Sequence, residues 1–365
     1  MGAGLRFCRR GRNPVPPLPP KPPRVAILKP LHGANERLSG NLASFVEADY
    51  PAKELILGVS SRADRAAEVA LALAANFPGS AIRLEVGHHP AAVNNKVGKL
   101  VRMAGSAADA DVYIVSDADI AVDAGYLKRV VGELCADERT GVVTCLYRAV
   151  PGSADIGAKL EALFVNADFL PMALLAQSFE PLSYAFGATI AIKRQVLEEV
   201  GGFEALKDLL ADDFYLGNRA FQRGYQIKLS SKPVTIVTNE RSFSDFWIHQ
   251  LRWARTYRSV RPASVAMVLT YGPFWSLLFA AATRFHPLAL EWIGAVIGLR
   301  YLMGAFVLGA VARLPIHLTE LAFLPVKDLI NVAIWFASLM GRTITWGDRR
   351  FRILSTGHLE EISGS

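Results

Sequence analysis

Residues 24–260 alternate short apolar runs with helix-like stretches, and this alternation limits the possible folds more than any other feature of the sequence. Each of five apolar runs is followed by a stretch with helical periodicity. The pairs are 25–29 with 35–48, 55–59 with 62–75, 82–86 with 95–104, 112–115 with 124–135, and 142–146 with 156–176. Repeated strand–helix units predict an α/β fold with a mostly parallel sheet. Ligands of such sheets bind beyond the carboxyl ends of the strands, so functional side chains should follow strands.

The apolar residues are concentrated near the C-terminus, which indicates a membrane module. The mean hydropathy of +0.25 is high for a soluble enzyme. Three blocks with few charges are each close to the length of about 20 residues that spans a bilayer. These blocks lie at 264–282, 292–312 and 321–340. Arg300 interrupts the second block and Pro325, Lys327 and Asp328 interrupt the third, so these charges should face protein or the interface.

We expect the first block to be the most regular span and the third to be re-entrant or interfacial. Arg342, Arg349, Arg350 and Arg352 follow the last block, and basic flanks stay on the cytoplasmic side near anionic lipid. The sequence therefore predicts an integral membrane protein whose soluble domain faces the cytoplasm. Three full crossings would place the basic tail opposite that domain, so we expect block 321–340 not to cross.

Charge and cysteine usage exclude several other classes of protein. The net charge is +7, but no run of interleaved basic and aromatic residues forms a nucleic-acid-binding face. Membrane lipids are the better partner for this charge. Cys8, Cys135 and Cys145 have neither disulfide-framework nor zinc-type spacing. We predict a flexible proline-rich lead at 1–23, a catalytic domain at 24–260, membrane helices at 261–341 and a cytoplasmic basic tail at 342–365.

Two carboxylates directly follow the predicted strand 112–115. Asp117 and Asp119 are spaced so that both can reach one cation, and Mg²⁺ or Mn²⁺ prefers carboxylate and phosphate oxygens. A polar strand end without a metal is the alternative, because such a short motif has many false positives. Neither a G-x-G-x-x-G after the first strand nor a P-loop occurs, which argues against a dehydrogenase and a P-loop NTPase.

Two further candidates lie at the starts of predicted helices. Asp64 follows the second strand, where its carboxylate could accept hydrogen bonds from a uracil ring or a ribose, or could simply be a helix N-terminal acid. Lys96 opens another helix and could place its ammonium near a diphosphate. A solvated lysine is the alternative there.

A third acidic site, Asp212 and Asp213, opens a helix predicted to reach about residue 223. Asp212 could cap that helix. Asp213 is the candidate base, because a carboxylate at a loop-to-helix corner can take the proton of an attacking acceptor hydroxyl. Segments 186–192 and 201–203 supply a strand and a small-residue turn that could shape an acceptor pocket.

The segment 249–253 (HQLRW) lies on a helix-like stretch before the first apolar block. Its spacing places His249, Arg252 and Trp253 on one face. Arg252 suits a departing diphosphate, and Trp253 offers a flat wall for a sugar or a lipid. An interfacial amphipathic helix without chemistry is the alternative.

Taken in order, these motifs resemble the ceramide glucosyltransferase family, glycosyltransferase family 21, including its bacterial members that glycosylate hopanoids. The matching segments are 29–33 (KPLHG), Asp64, 116–119 (SDAD), 211–213 (ADD), 249–253 (HQLRW) and 344–352 (ITWGDRRFR). The resemblance implies a GT-A fold, a UDP-sugar donor, a divalent cation and inversion at the anomeric carbon. The family's usual N-terminal membrane helix has no counterpart in this sequence, so we expect that the chain either starts late or relies on its C-terminal anchor. The likeness to bacterial members implies a bacterial inner membrane as its location.

The resemblance implies roles for individual residues. Asp64 and Asp117 correspond to the family's nucleotide and metal site, Asp213 to its catalytic base, and Arg252 and Trp253 to the end of its (Q/R)xxRW motif. His249 occupies the first position of that motif, where the family usually has glutamine or arginine.

We therefore expect Asp117 and Asp119 to bind the cation, and Lys96 to contact the donor diphosphate with Asp64 at the nucleotide. The acceptor is expected to be a lipid hydroxyl, on a ceramide or a hopanoid. Two other functions stay open: a processive polysaccharide synthase of the same fold, which usually needs more membrane helices, and a non-catalytic membrane scaffold.

Overall fold

The structure, a computed structural model, describes residues 1–347, 349–355 and 357–362 and divides them into two compact units. The sheet unit comprises Gly11–Gly152 and Phe179–Asn239, and the helical unit comprises Met1–Arg10, Ser153–Ser178 and Glu240–Ser365. Segment Ser153–Ser178, which the sequence analysis placed inside the catalytic domain, thus belongs to the helical unit. The domain boundaries drawn from the sequence stay predictions.

The central sheet is mostly parallel, as predicted. The strands of the sheet unit are β1 Val25–Pro30, β2 Lys53–Val59, β3 Ile82–Val86, β4 Val112–Ser116, β5 Ile120–Ala121, β6 Thr140–Thr144, β7 Tyr147–Pro151, β8 Thr189–Lys193, β9 Gln226–Leu229 and β10 Val234–Thr238. Seven form one sheet in the order β3-β2-β1-β4-β8-β6-β9, in which β8 runs antiparallel to β4 and β6. A smaller sheet has the order β5-β10-β7.

The helices of both units include those of the predicted alternation. They are α1 Gly2–Arg10, α2 Leu38–Glu47, α3 Arg65–Asn76, α4 Asn95–Ser106, α5 Tyr126–Cys135, α6 Ile156–Phe164, α7 Leu170–Ala176, α8 Arg194–Glu199, α9 Asp212–Gln222, α10 Phe243–Val260, α11 Gly272–Ala282, α12 Pro287–Phe306 and α13 Leu318–Leu339. Helix α1 lies in the segment for which the sequence analysis expected only a flexible lead. Every residue of β1 and β4 is buried, as expected for strands covered on both faces.

The apolar C-terminal blocks are helical, but the structure reverses our expectation of which block is irregular. The third block forms the continuous helix α13, and α12 with its extension to Val311 is also long and apolar enough to cross a membrane. The first block is broken instead: Pro262–Thr270 and Gly272–Ala282 meet at an angle of 63°. Pro273 lies in the first turn of α11, where its missing N–H cannot continue the preceding helix. By length and composition, the described chain holds two candidate spans, or three if the bent pair counts as one.

The charged residues inside α12 and α13 contact other protein side chains, as the sequence analysis expected. Arg300 of α12 binds Asp328 of α13 with Nε–Oδ2 at 2.8 Å. Lys327 contacts Asp328 at 2.8 Å and also binds Asp168, which Asn331 contacts from the same side. Mutual pairing offsets part of the penalty for placing these ions among apolar helices.

The described part of the basic tail folds back as a small antiparallel sheet within the helical unit. Its strands are β11 Thr343–Trp346, β12 Arg349–Ile353 and β13 Leu359–Glu361. Arg255 of α10 donates to the carbonyl oxygens of Thr343 and Met340. Asp348, Thr356 and residues 363–365, which fall in the predicted tail, lie outside the described residues.

Candidate active site

Three carboxylates gather around the ammonium of Lys96 in the sheet unit. Lys96 Nζ lies 2.9 Å from Asp117 Oδ1 and 3.3 Å from Asp212 Oδ2. Asp213, the next residue along the chain, adds a further negative charge close to the same ammonium. We call Lys96, Asp117, Asp212 and Asp213 the acidic cluster. The structure thus brings together predicted site residues that are more than 90 positions apart in the sequence.

Asn94 explains why Lys96 meets the start of α9. Its side chain caps α4 by accepting hydrogen bonds from the N–H groups of Lys96 and Val97, at 3.0 and 3.2 Å. Its amide donates to the carbonyl oxygen of Leu209 at 2.8 Å. This buried residue therefore fixes both the first turn of α4 and the loop that precedes Asp212.

Strand pairing brings Asp117 to the same place. Ser116, the last residue of β4, pairs with Thr189 at the start of β8, and the N–H of Asp117 donates to the carbonyl oxygen of Ala188 at 3.3 Å. Gly187, one residue earlier, lies against Asp213: a Cβ at Gly187 would be 2.8 Å from Asp213 Oδ2. The edge where β4 ends is thus the edge where α9 begins.

Burial and crowding raise the proton affinity of the two α9 acids. Burial raises the pKa of Asp213 to about 6, assisted by the charge of Asp212 and opposed by Lys96. Burial likewise raises the pKa of Asp212. Burial alone would lower the pKa of Lys96, but Asp117, Asp212 and Asp213 outweigh it and hold this pKa above its ordinary value. A carboxylate with a pKa near 6 is matched to proton transfer close to neutral pH.

Lys29 is a residue that our reasoning about individual motifs missed. It belongs to β1, is fully buried, and stacks over the Phe45 ring with Nζ 3.7 Å from the centroid. Its ammonium also lies 3.3 Å from the carbonyl oxygen of Ile120. Burial lowers the pKa of Lys29 to about 7, against the opposing charges of Asp119 and Asp117. A lysine inside an otherwise apolar strand was the available signal, because such a residue is buried only with polar partners.

Asp64 lies at the N-terminus of α3, the structural role that the sequence analysis gave as its alternative. Its Oδ1 accepts hydrogen bonds from the N–H groups of Ala66 and Gly33, both at 2.9 Å, so it caps α3 and holds the loop after β1. His32 lies 3.4 Å from its Oδ2. Asp64 is therefore at a neighbouring strand end rather than among the carboxylates around Lys96.

Arg252 and Trp253 belong to the helical unit, on α10. The Arg252 guanidinium lies over the Trp346 ring of the tail, 5.6 Å from its centroid. The rings of His249 and Trp253 are 5.0 Å apart, as expected for residues one helical turn apart. Trp346 thus becomes a partner of the HQLRW segment.

Sequence comparison decides the family. The family profile described as Glycosyl transferase family 21 matches residues 5–359. The chain belongs to glycosyl transferase family 21. A Caenorhabditis elegans protein named ceramide glucosyltransferase 3 is 23% identical over 346 residues, which cover 92% of this chain and 74% of that protein. The ceramide glucosyltransferase of Komagataella phaffii is 34% identical over 133 residues, covering 35% of this chain and 25% of that protein.

A solved structure with a similar fold is the mannosyltransferase PcManGT from Pyrobaculum calidifontis, in complex with GDP-Man and Mn²⁺. It superposes with a TM-score of 0.54 at 21% identity, covering 93% of this chain and 94% of that one. The GT-A fold expected from the resemblance is confirmed for this family 21 glycosyltransferase. The roles of its individual site residues are taken up below as proposals.

Replacing Gly187 by alanine tests whether activity depends on the close approach of the segment before β8 to Asp213. The new methyl group would lie 2.8 Å from Asp213 Oδ2, so the carboxylate or the strand must move. In the role proposed for Asp213 below, a displacement of about 1 Å slows turnover about 10²-fold. We expect a fall in kcat of that order, measured in steady-state assays. Gly40→Ala is the matched control, because a Cβ there meets no atom within 4 Å; equal activities of the two variants would show that Asp213 tolerates displacement.

Proposed function

We propose that this glycosyltransferase transfers a sugar, with inversion, from a UDP-sugar to a lipid hydroxyl at the cytoplasmic face of a membrane. The observation that supports the proposal most is the carboxylate of Asp213, whose pKa is raised to about 6. It lies at the carboxyl edge of a GT-A sheet, beside a lysine and the first acid of a D-x-D pair. This combination provides a base for the acceptor and positive charge for a phosphate-bearing donor.

Asp213 acts in this proposal as the general base. Its ionised carboxylate takes the proton of the lipid hydroxyl while the hydroxyl oxygen attacks the anomeric carbon, and the bond to the UDP oxygen breaks on the opposite side. The Phe214 N–H donates to Asp213 Oδ1 at 2.8 Å and orients the carboxylate. Tyr184 stacks on Phe214 with centroids 5.5 Å apart, which offers aromatic surface for a sugar or an apolar acceptor next to the base.

The residues at the end of β4 fit a hard divalent cation. Asp117 and Asp119 provide carboxylate oxygens, which Mg²⁺ and Mn²⁺ prefer, and the Lys96 ammonium lies 2.9 Å from Asp117. We propose that these two aspartates hold such an ion, which when bound would neutralise diphosphate charge. The PcManGT complex contains Mn²⁺ with GDP-Man. Lys96 adds a fixed positive charge for the phosphates, and Asp64 orders the loop that we propose receives the nucleotide.

We propose that Arg252 stabilises the departing diphosphate and that Trp253 contacts the acceptor. Arginine keeps its charge and matches phosphate oxygens in a bidentate manner. Stacking over Trp346 restricts the Arg252 guanidinium, so less conformational freedom is lost when it binds an anion. This part of the proposal also gives the tail strand β11 a functional reason to lie against α10.

Two features support a lipid acceptor. The relatives described above are named ceramide glucosyltransferases, and the helical unit contains helices able to enter a membrane. Trp253 and Tyr257 of α10 also line a cavity of ≈ 90 Å³ together with Trp335 of α13. An apolar chain held by these helices would keep the reacting hydroxyl at the membrane surface.

The direct test is to incubate the detergent-purified protein with Mg²⁺ or Mn²⁺, UDP-glucose, UDP-N-acetylglucosamine or UDP-glucuronic acid, and either ceramide or a polyhydroxylated hopanoid. Mass spectrometry of the extracted lipids is expected to show one glycosylated lipid with a single added sugar. A water-soluble polymer would support a processive synthase instead. No product from any combination would contradict the proposed reaction.

The pH dependence of turnover follows from the same carboxylate. Asp213 must be ionised to accept a proton, so kcat is expected to fall about tenfold per pH unit below its raised pKa of about 6. An ordinary aspartate would keep full activity about two pH units lower. Initial rates at saturating donor between pH 4.5 and 8 measure this. A profile that stays flat down to pH 5 would contradict Asp213 as the base.

A further inference from the structure

A second group of ligand-type side chains lies in the helical unit, and the proposed reaction does not use it. It consists of Glu161 on α6, Glu240 just before α10, and His249 on α10. One ligand atom of each residue lies within 4.8 Å of the other two. Among the described residues, these three form a group that could hold a metal ion. We call these three residues the Glu-Glu-His cluster.

Close helix packing builds this cluster. A Cβ at Gly157, one turn before Glu161, would lie 2.6 Å from the carbonyl oxygen of Glu240 and 2.5 Å from that of Ser242. Only glycine allows α6 to approach the start of α10 so closely. The Phe164 and Phe246 rings, 4.7 Å apart edge to face, pack the same pair of helices together.

The ligand atoms lie near the separations found around one small ion: one pair is within that range and another is at the shorter distance of a hydrogen bond. His249 Nδ1 lies 2.9 Å from Glu161 Oε1 and 3.5 Å from Glu240 Oε1. Nitrogen and oxygen ligands bound to Zn²⁺ at 2.0–2.2 Å in a tetrahedron are about 3.3–3.6 Å apart. Small side-chain movements would therefore turn this arrangement into a first coordination shell with one open position.

Glu161 also has a carboxylate oxygen that could still accept a ligand. It is 1% exposed, and its Oε1 accepts from Gln250 Nε2 at 2.8 Å and contacts His249. Its Oε2 is buried and has no hydrogen-bond partner within the described part of the chain. A buried carboxylate oxygen without a partner is costly, and a bound cation would satisfy it.

We propose that the Glu-Glu-His cluster binds a divalent transition-metal ion of the zinc type. One imidazole and two carboxylates suit Zn²⁺ better than Mg²⁺, which rarely takes nitrogen ligands. The ion would connect α6 to α10 at the first residue of the HQLRW segment. It would thereby stabilise the helix that carries Arg252 and Trp253.

The test uses the full-length protein without a polyhistidine tag, equilibrated with ZnCl₂ in detergent and then desalted. Elemental analysis is expected to find one zinc per chain, and zinc is expected to raise the Tm. His249→Gln should lose both the retained zinc and the Tm increase. Glutamine keeps a hydrogen-bonding side chain at this position but is a poor zinc ligand, so this variant is expected to fold.

Three further variants decide the location of the ion. Glu161→Gln should behave as His249→Gln does, whereas Glu291→Gln, at an exposed position of α12, should retain zinc. The double variant Asp117→Asn/Asp119→Asn should also retain it, because it alters only the sheet unit. The proposal is overturned if the unaltered protein retains no zinc, if His249→Gln and Glu161→Gln retain it fully, or if only the Asp117/Asp119 variant loses it.

Discussion

Replacing Asp213 by asparagine is expected to abolish glycosyl transfer while leaving UDP binding nearly unchanged. Asparagine preserves the shape of the side chain but cannot take the proton of the acceptor, and loss of a general base slows turnover about 10²–10⁴-fold. Asp213 Oδ1 also accepts the hydrogen bond from Phe214 N–H, which the asparagine carbonyl can retain. The variant should therefore lower kcat without displacing the start of α9.

Two measurements check this expectation. Product formation by mass spectrometry gives kcat, and calorimetric titration with UDP and Mn²⁺ gives nucleotide affinity. Asp137→Asn is a suitable control, because Asp137 is an acid of the sheet unit whose contacts are to the exposed Arg139. Near-normal turnover of Asp213→Asn would show that another group accepts the proton.

The same substitution should make the sheet unit more stable at neutral pH. The pKa of Asp213 is higher in the folded protein than the ordinary 3.8, so the folded state binds this proton more tightly than the unfolded state. The stability that accompanies the bound proton is present below pH 4 and is lost as the pH rises through about 6. A neutral asparagine avoids that loss, and we expect a gain of about 1–2 kcal/mol at pH 7.5 that disappears near pH 4.

The order of elements in the sheet unit could be predicted because it depends on local patterns. Strand β3 has the predicted bounds, and β1, β2 and β4 differ from them by two residues or fewer at each end. Apolar runs separated by helical periodicity specify such elements without knowledge of distant contacts. The position of Asp117 at the end of β4 follows directly, because a carboxylate after a buried apolar run must lie where the strand leaves the core.

Features that depend on contacts between distant segments could not be predicted in the same way. Neither the pairing of Arg300 with Asp328 nor the contact of Lys327 with Asp168 can be derived from the period of either helix. The third apolar block therefore looked less regular than it is. In the first block, the Gly272–Pro273 pair was a local signal for a break, and hydropathy alone concealed it.

The acidic cluster could be predicted only in part. The sequence identified Lys96, Asp117 and Asp213 as separate candidates, each beside a plausible structural alternative. Only the fold shows that one ammonium contacts both Asp117 and Asp212. The link runs through Asn94, a helix cap whose second hydrogen bond, to Leu209, has no sequence signature.

Replacing Lys96 by methionine is expected to destabilise the sheet unit by about 2–3 kcal/mol at pH 7.5. Its ammonium is the counter-ion of Asp117 and Asp212, and removing one partner of a buried ion pair leaves uncompensated charge behind. Burial already raises the pKa of Asp212, so this acid can take up a proton once its counter-ion is gone, and the loss should shrink as the pH falls. An effect that grows with pH separates charge imbalance from simple loss of packing.

The measurement must report on the sheet unit itself. All six tryptophans lie between residues 247 and 346, in the helical unit, so tryptophan fluorescence would miss the change. Hydrogen exchange of peptides from α4 and α9 gives the local opening free energy directly. Lys128→Met is the matched control, because Lys128 pairs with Asp49 at the exposed surface and should change stability by less than about 1 kcal/mol.

A second variant distinguishes charge imbalance from other causes. Lys96→Met/Asp212→Asn removes one unpaired acid together with the ammonium, so it should recover much of the lost protection in α4 and α9. Donor affinity should not recover, because the positive charge proposed to face the diphosphate is still missing. Recovery of both properties would mean that Lys96 serves only to balance Asp212, whereas recovery of neither would mean that Lys96 stabilises the fold through contacts other than this ion pair.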